Sequence, residues 1–159
     1  MGEAESRLPP LGLGCDHRRM PARLLSAPGL YPDSGYAYAA VSPPGSLVFA
    51  AGACPIDADG EVVGGPDYAL QARQMMANLV TALGAAGASL TDVLKTTIYV
   101  ASADQSDLVS VWTVVHDEYF SDHEVPSTLL GVTVLGYSGQ LVEIEAIATA
   151  ASGPASQPG

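Results

Sequence analysis

Two carboxylates on one predicted strand are the residues whose type and spacing best suit chemistry. Glu143 and Glu145 lie in residues 141–148, where charged and apolar side chains alternate. Because successive strand residues point to opposite faces, both carboxylates share one face, opposite Val142 and Ile144. A carboxylate held among apolar neighbours can position or deprotonate a water molecule. The alternative is a solvated or ion-paired strand face, which charged strand residues commonly provide.

A second candidate is Cys54, in the segment Gly-Ala-Cys-Pro. A cysteine nucleophile requires a neighbouring base and a lowered pKa, and the sequence places neither His116 nor His123 beside it. A buried structural thiol is therefore the favoured interpretation. The histidines lack the close spacing of metal ligands, and there is no glycine-rich phosphate-binding motif. The sequence predicts no metal and no cofactor.

The elements that position these residues follow from the hydrophobic periodicity. An apolar stripe at i, i+3, i+4 spacing predicts a helix that begins near Pro66 and Asp67, and a second stripe predicts a helix that ends near Phe120. Strand-like segments are residues 36–41, 47–51, 61–63, 93–100, 128–135 and 141–149. The order β-β-(β)-α-β-α-β-β predicts an α+β fold in which two helices cover one face of a mixed sheet.

The charge composition limits the partners of this chain. Charged residues make up 14% of the 159 residues, against about 25% in an average soluble domain, so one face is predicted to be buried against another subunit. The formal net charge is −11, which excludes an extended nucleic-acid interface because phosphate backbones require a basic surface. From Tyr31 onward the cationic side chains are Arg73 and Lys95.

The domain organisation and the compartment are further expectations. Residues 1–30 are predicted to be a flexible leader, residues 31–151 a single domain, and residues 152–159 a disordered tail. Two cysteines do not make a disulfide framework, and no apolar run is long enough to cross a membrane. Because the N-terminus also lacks the features of a secretory signal, we expect a cytoplasmic protein without a membrane partner.

Several segments resemble, in order, the Rid family, which is also called YjgF or reactive intermediate deaminase and carries the older label of L-PSP endoribonuclease. The matching segments are VFAAGACP within residues 47–55, the helix start at residues 71–79, DVLKTTIYV at residues 92–100, and LVEIEAIA at residues 141–148. The resemblance implies a chorismate-mutase-like fold and a homotrimer around a central barrel, with ligand clefts between subunits. It also implies cofactor-independent hydrolysis of reactive imines or enamines, which releases a keto acid and ammonia.

The resemblance also assigns functions to individual residues. The aromatic residue of the family's first strand corresponds to Tyr36, and the small residue and glycine after the second strand correspond to Ala51 and Gly52. The family's glutamate, which would hold the attacking water, corresponds to Glu143. A main-chain carbonyl that helps to hold this water would belong to Leu130.

One residue departs from the family pattern. The family's arginine, which clamps a substrate carboxylate with two hydrogen bonds, corresponds to Thr128 here. A threonine hydroxyl cannot replace that charge, and nothing in the sequence match places Arg73 or Lys95 beside Thr128. The chain thus resembles a divergent member of the family, and its predicted substrate is an imine, an enamine or a related intermediate without a free carboxylate.

Two functions remain open from the sequence. The favoured one is a small-molecule hydrolase that acts on C=N bonds, with Glu143 as acid and base and Thr128 orienting the ligand. The alternative is a non-catalytic homotrimer that binds a small molecule or acts like a chaperone, since a fold does not determine a function. A ribonuclease is disfavoured by the acidic composition.

Overall fold

The computed structural model describes residues 23–25, 37, 39–42 and 45–150. Six strands run through these residues, and their bounds are β1 Arg23–Leu25, β2 Ala39–Val41, β3 Leu47–Phe49, β4 Val93–Val100, β5 Ser127–Gly131 and β6 Val142–Thr149. Four of them form a mixed sheet in the order β3-β6-β4-β5. Strand β6 is antiparallel to both of its neighbours, whereas β5 is parallel to β4. Strands β1 and β2 form a separate antiparallel pair.

Two helices pack on one face of the four-stranded sheet. Helix α1 spans Tyr68–Ala85 and begins at Asp67, whose side chain accepts hydrogen bonds from two backbone amides of the first turn, as a helix N-cap does. Helix α2 spans Gln105–Thr113 and continues as a π-helical segment over Val114–Phe120. The apolar faces of these helices and the alternate residues of β4 and β6 form one buried core, which confirms the predicted α+β arrangement.

Some predicted boundaries differ from the structure. The strand predicted over residues 128–135 ends at Gly131, because Gly131 pairs with Val100, the last residue of the partner strand β4. Residues 61–63 contribute only an isolated bridge between Val62 and Ile56. Strand β1 falls inside the predicted leader, so that part of the chain contributes to a sheet. The other residues of the leader, and the predicted tail from residue 152, lie outside the described residues.

The second face of the four-stranded sheet carries no helix in the part of the chain that the structure describes. Its side chains, here called the open face, are Phe49, Lys95, Thr97, Tyr99, Thr128, Leu130, Glu143, Glu145 and Ile147. Phe49 is 71% exposed. The burial of β6 alternates as the sequence predicts, with Val142, Ile144 and Ala146 in the core and the two glutamates on the open face.

Gln71 links helix α1 to the loop that precedes β6. The side chain is fully buried. Its amide donates to the carbonyls of Gly65 (2.6 Å) and Gly139 (2.9 Å), and it accepts a hydrogen bond from the backbone amide of Leu141 (2.8 Å). Gln71 therefore fixes the start of the strand that carries both glutamates.

Replacing Gln71 with leucine is expected to lower the free energy of unfolding by about 2–5 kcal/mol, because three backbone groups lose their hydrogen-bond partner inside the protein. Urea unfolding of the wild type and the variant measures this change. The matched control is Gln105→Leu, at an exposed position of α2, where the change is expected within about 0.5 kcal/mol. Equal costs at the two positions would contradict the assigned function of Gln71.

Candidate active site

Glu143 lies on β6 with its side chain half-buried on the open face. One carboxylate oxygen, Oε2, accepts a hydrogen bond from the side-chain amide of Gln140 at 3.0 Å and another from the thiol of Cys54 at 3.6 Å. Gln140 is itself buried, and it also donates to the carbonyl of Val142 and accepts from the amide of Tyr137. These contacts fix the orientation of the carboxylate before any ligand binds.

Gly52 lies directly against the same carboxylate. The chain after β3 stays extended beside β6, because Ala53 and Ile144 exchange two backbone hydrogen bonds of 2.8 and 3.2 Å. A Cβ atom on Gly52 would overlap Oε1 of Glu143 and lie 2.7 Å from its Cδ. Only glycine leaves room for this position of the carboxylate. We call Gly52, Cys54, Gln140 and Glu143 the Glu143 cluster.

Cys54 is a hydrogen-bond donor in this cluster and does not have the environment of a nucleophile. Burial raises the pKa of its thiol, and the negative charge of Glu143 and the hydrogen bond to that carboxylate raise the pKa further. A reactive cysteine requires the opposite shift. The side-chain amide of Asn78, on α1, donates to the carbonyls of Cys54 and Ile56 at 2.8 Å and holds this segment against the helix. The interpretation as a structural thiol is therefore the better one.

The raised pKa predicts slow alkylation of Cys54 by iodoacetamide near pH 8, since the thiolate is the reactive form. The Glu143→Gln variant lacks the negative charge that disfavours the thiolate of Cys54. The alkylation rate should therefore increase, and its pH profile should move to lower pH. Mass spectrometry of time points in a Cys15→Ser background measures this rate at Cys54 alone. A profile that is the same with and without the carboxylate would show that Glu143 does not act on the thiol.

The other predicted ligand contacts lie on the far side of β4. Thr128 is opposite Thr97 and Leu130 is opposite Tyr99, and Tyr99 is in turn opposite Glu143. Two strand spacings, about 10 Å, therefore separate Leu130 from Glu143 within one chain. The structure brings Gly52 to Glu143 but brings neither Thr128 nor Leu130 there. Among the remaining predictions, Ala51 is exposed beside Gly52, and Tyr36 lies outside the described residues.

Lys95 supplies a cation at Thr128. Its ammonium donates to the hydroxyl of Thr128 and to the carbonyl of Thr96, both at 2.6 Å, and burial lowers the pKa of the ammonium. The sequence match gave no sign of this contact, because it joins two strands that are 33 residues apart. Arg73 forms two hydrogen bonds of 2.9 and 2.6 Å with Glu118 on the helical side of the molecule. We call Lys95 and Thr128 the Thr128 cluster.

Sequence reasoning missed Gln140 as well as Lys95. Gln140 precedes β6 in a loop, where neither periodicity nor motif distinguishes it from other polar residues. No group of three or more metal-ligating side chains occurs among residues that the structure describes. No helix within the same residues is long and apolar enough to span a membrane.

Comparisons with known proteins agree on one family. The sequence model of the Endoribonuclease L-PSP family matches residues 29–150. A RutC family protein of Pyrococcus horikoshii is 40% identical over 105 residues, which are 65% of this chain and 79% of that protein.

Solved structures resemble this chain along most of its length. YyfB of Yersinia pestis, a conserved Rid family protein, aligns with a TM-score of 0.76 at 30% identity. The alignment covers 82% of this chain and 99% of YyfB. A member of the YjgF/YER057c/UK114 family from Mycobacterium tuberculosis aligns with a TM-score of 0.55 at 34% identity. The alignment covers 80% of this chain and 98% of that protein. TdcF of E. coli, solved with bound serine, aligns with a TM-score of 0.56 at 28% identity. The alignment covers 80% of this chain and 93% of TdcF.

Proposed function

Because this chain belongs to the Endoribonuclease L-PSP family, in which the Rid proteins fall, we propose that it is a hydrolytic deaminase of a reactive imine or enamine. The observation that carries the proposal is the arrangement of Glu143. Two donors hold one oxygen of this carboxylate, and the other oxygen lies over Gly52. A carboxylate that is held in one orientation on an accessible face can activate a water without reorganising.

The reaction needs only this carboxylate and water. Glu143 accepts a proton from a water molecule as the water oxygen forms a bond to the carbon of the C=N group. The carbinolamine that results then accepts the same proton on its nitrogen. The hydroxyl then gives its proton to Glu143, which passes it to the nitrogen as the C–N bond breaks, so that the C=O bond forms and ammonia leaves. The products are one carbonyl compound and one ammonia, and no electrons are exchanged with a cofactor.

We further propose that the protein is a homotrimer around a central barrel, with its ligand clefts between subunits. In one chain the Glu143 cluster and the Thr128 cluster are too far apart to contact one small molecule. A cleft between two subunits would bring Ala51, Gly52 and Glu143 of one subunit to Thr128 and Leu130 of the next. The open face with its exposed Phe49 and the low share of charged residues support an assembly that buries this face.

The size of the ligand is suggested by a relative. TdcF of E. coli was solved with serine bound, so a fold of this kind accommodates a molecule of amino-acid size. This supports a small imine or enamine as the substrate here and agrees with the acidic composition, which disfavours RNA.

The sequence alone favours a substrate without a free carboxylate, because Thr128 carries no charge. That prediction depends on the absence of a cation beside Thr128, and Lys95 lies there. The proposed chemistry at Glu143 is the same for either substrate class, since a carboxylate takes no part in the attack on the C=N carbon.

A coupled hydrolysis assay tests the proposal. An amino-acid oxidase generates imines from several amino acids, semicarbazide traps them, and the purified protein competes with the trap. Less semicarbazone and faster ammonia release with the wild type are the expected results, and Glu143→Gln should lose this effect. An inert wild type with every amino-acid-derived and amine-derived imine would reject the deaminase.

One observation favours the alternative of a non-catalytic binding or chaperone-like protein. The open face presents several apolar side chains, among them Phe49 and Leu130, and exposed apolar surface can bind partner proteins. Sedimentation separates the two possibilities, because an open face that is buried in a trimer is not available to a client protein.

A further inference from the structure

We propose that Gln140 is a positioning residue that gives the two oxygens of Glu143 different functions. Oε2 stays anchored to Gln140, whereas Oε1 takes the proton of the attacking water and returns it to the substrate nitrogen. The catalytic part of this proposal rests on the proposed deaminase function. The anchoring of Oε2 does not, because it follows from the hydrogen bonding of the Glu143 cluster.

The side-chain amide of Gln140 has one possible orientation. It is buried, with 4% of the residue exposed. Its oxygen accepts from the backbone amide of Tyr137, and its nitrogen donates to the carbonyl of Val142 and to Oε2 of Glu143, each at 3.0 Å. Exchanging the amide oxygen and nitrogen would turn all three contacts into pairs of two donors or two acceptors. Gln140 must therefore present a donor to Glu143.

The backbone around Gln140 is held on both sides. On one side Gln71 donates to the carbonyl of Gly139 at 2.9 Å, and on the other it accepts from the amide of Leu141 at 2.8 Å. The backbone amide of Gln140 donates to the carbonyl of Tyr137 at 3.1 Å. This closes a turn in which Gly139 has a φ of +80°, a conformation that favours glycine. The donor is thus fixed in space, and it cannot follow a carboxylate that rotates away.

These contacts exclude a proton on Oε2. A protonated carboxyl carries its hydrogen on one oxygen, which then becomes a donor. A hydrogen on Oε2 would point at the N–H group of Gln140, so two donors would face each other in a buried position. The thiol of Cys54 also donates to Oε2, which strengthens the same preference. Any proton that Glu143 accepts therefore goes to Oε1.

Oε1 is the oxygen that a water molecule can reach. No donor among the described residues contacts it, and it lies where a Cβ atom of Gly52 would be. Its lone pairs are thus free to accept from water. The other titratable side chains that face Glu143 are Cys54, Tyr99 and Glu145. None of these three is a cation that would occupy Oε1 in place of water.

Two substitutions of Gln140 test the positioning function in the trap-coupled assay, with each rate divided by that of the wild type at the same pH. Gln140→Leu should lower kcat about 10²-fold at every pH, with KM changed less than about threefold, because the carboxylate is displaced from its reacting position. Gln140→Glu should be equally slow near about pH 9, where two carboxylates repel each other.

The activity of Gln140→Glu should return in mild acid. The pair of carboxylates binds one proton more readily than a lone carboxylate does, and the substituted side chain can then donate to Oε2 as glutamine does. Its kcat relative to the wild type should therefore rise about 10-fold or more between about pH 9 and about pH 6. The matched control is Gln105→Glu, the same change at an exposed position of α2, which should be as active as the wild type throughout. Circular dichroism gives the folded fraction at each pH.

Nuclear magnetic resonance of the Gln140 side-chain amide tests the anchoring without any catalysis. One amide proton of the wild type should shift with pH as Glu143 is protonated, and this shift should be absent in Glu143→Gln, because a hydrogen bond to a charged acceptor is the stronger one. In acid this proton should still exchange slowly with solvent, since Oε2 remains an acceptor while Oε1 carries the hydrogen.

Rapid exchange of that proton once Glu143 is protonated, or a shift that ignores Glu143, would overturn the assignment of the two oxygens. A folded Gln140→Glu whose relative kcat is the same at both pH values would overturn the positioning function. If neither Gln140 variant folds, the resonance comparison of the wild type with Glu143→Gln decides. The expected resonances in a protein that hydrolyses no imine would reject the deaminase and retain the anchoring. Imine hydrolysis in a protein without them would retain the deaminase and reject Gln140 as its positioning residue.

Discussion

Glu143→Gln is expected to lower kcat/KM for imine hydrolysis by about 10²–10⁴-fold, the usual contribution of a general base. Glutamine keeps the size of the side chain and can still accept a hydrogen bond from Gln140, but it cannot accept a proton from water. The fold should be unchanged, because the carboxylate lies on the open face and its neighbour Val142 stays in the core. The trap-coupled assay measures the rate, and the loss should appear in kcat rather than in KM.

The matched comparison is Glu145→Gln, two residues along the same strand. It removes the same charge from the same face, but Glu145 accepts a hydrogen bond from the hydroxyl of Tyr99 at 2.9 Å. Cys54 and Gln140 donate to Glu143 instead. The effect of Glu145→Gln on kcat is expected to be at least 10-fold smaller. Comparable losses in the two variants would mean that the face needs negative charge and that neither carboxylate acts as the base.

Gly52→Ala is expected to reduce activity by about 10²-fold or more while the protein stays folded. The added Cβ would overlap Oε1 of Glu143, so the carboxylate must rotate away and lose its hydrogen bond from Gln140. A displacement of about 1 Å at the reacting groups can cost this much rate. The cost in stability should be about 1 kcal/mol or less, because the overlapping atom is the end of a flexible side chain.

The control for this variant is Gly84→Ala, near the end of helix α1. A Cβ at Gly84 would meet no atom within 4 Å, and alanine is the better helix former by about 1 kcal/mol. This variant should be slightly more stable than the wild type and equally active. If Gly52→Ala is as active as Gly84→Ala, then the observed position of Glu143 is not the one that catalysis uses. Circular dichroism during thermal unfolding checks the fold of both.

The sequence predicted much of the fold from local patterns. The stripe of apolar residues located α1, and the alternation of β6 placed Glu143 and Glu145 on one face. These predictions hold because helix and strand periodicities determine which side chains share a face, whatever the element packs against. The end of β5 at Gly131 could not be predicted in this way, because it depends on where the partner strand β4 ends.

The sequence by itself therefore determined the two helices, the strands β4 and β6, the family, and Glu143 as the candidate base. The tertiary structure decided which residues contact it, since Gly52, Cys54 and Gln140 reach Glu143 only through strand pairing and a loop. It also decided that Lys95 lies at Thr128, a contact between two parallel strands. Register across a sheet joins residues far apart in the chain, and no periodicity within either strand specifies which residues will face each other.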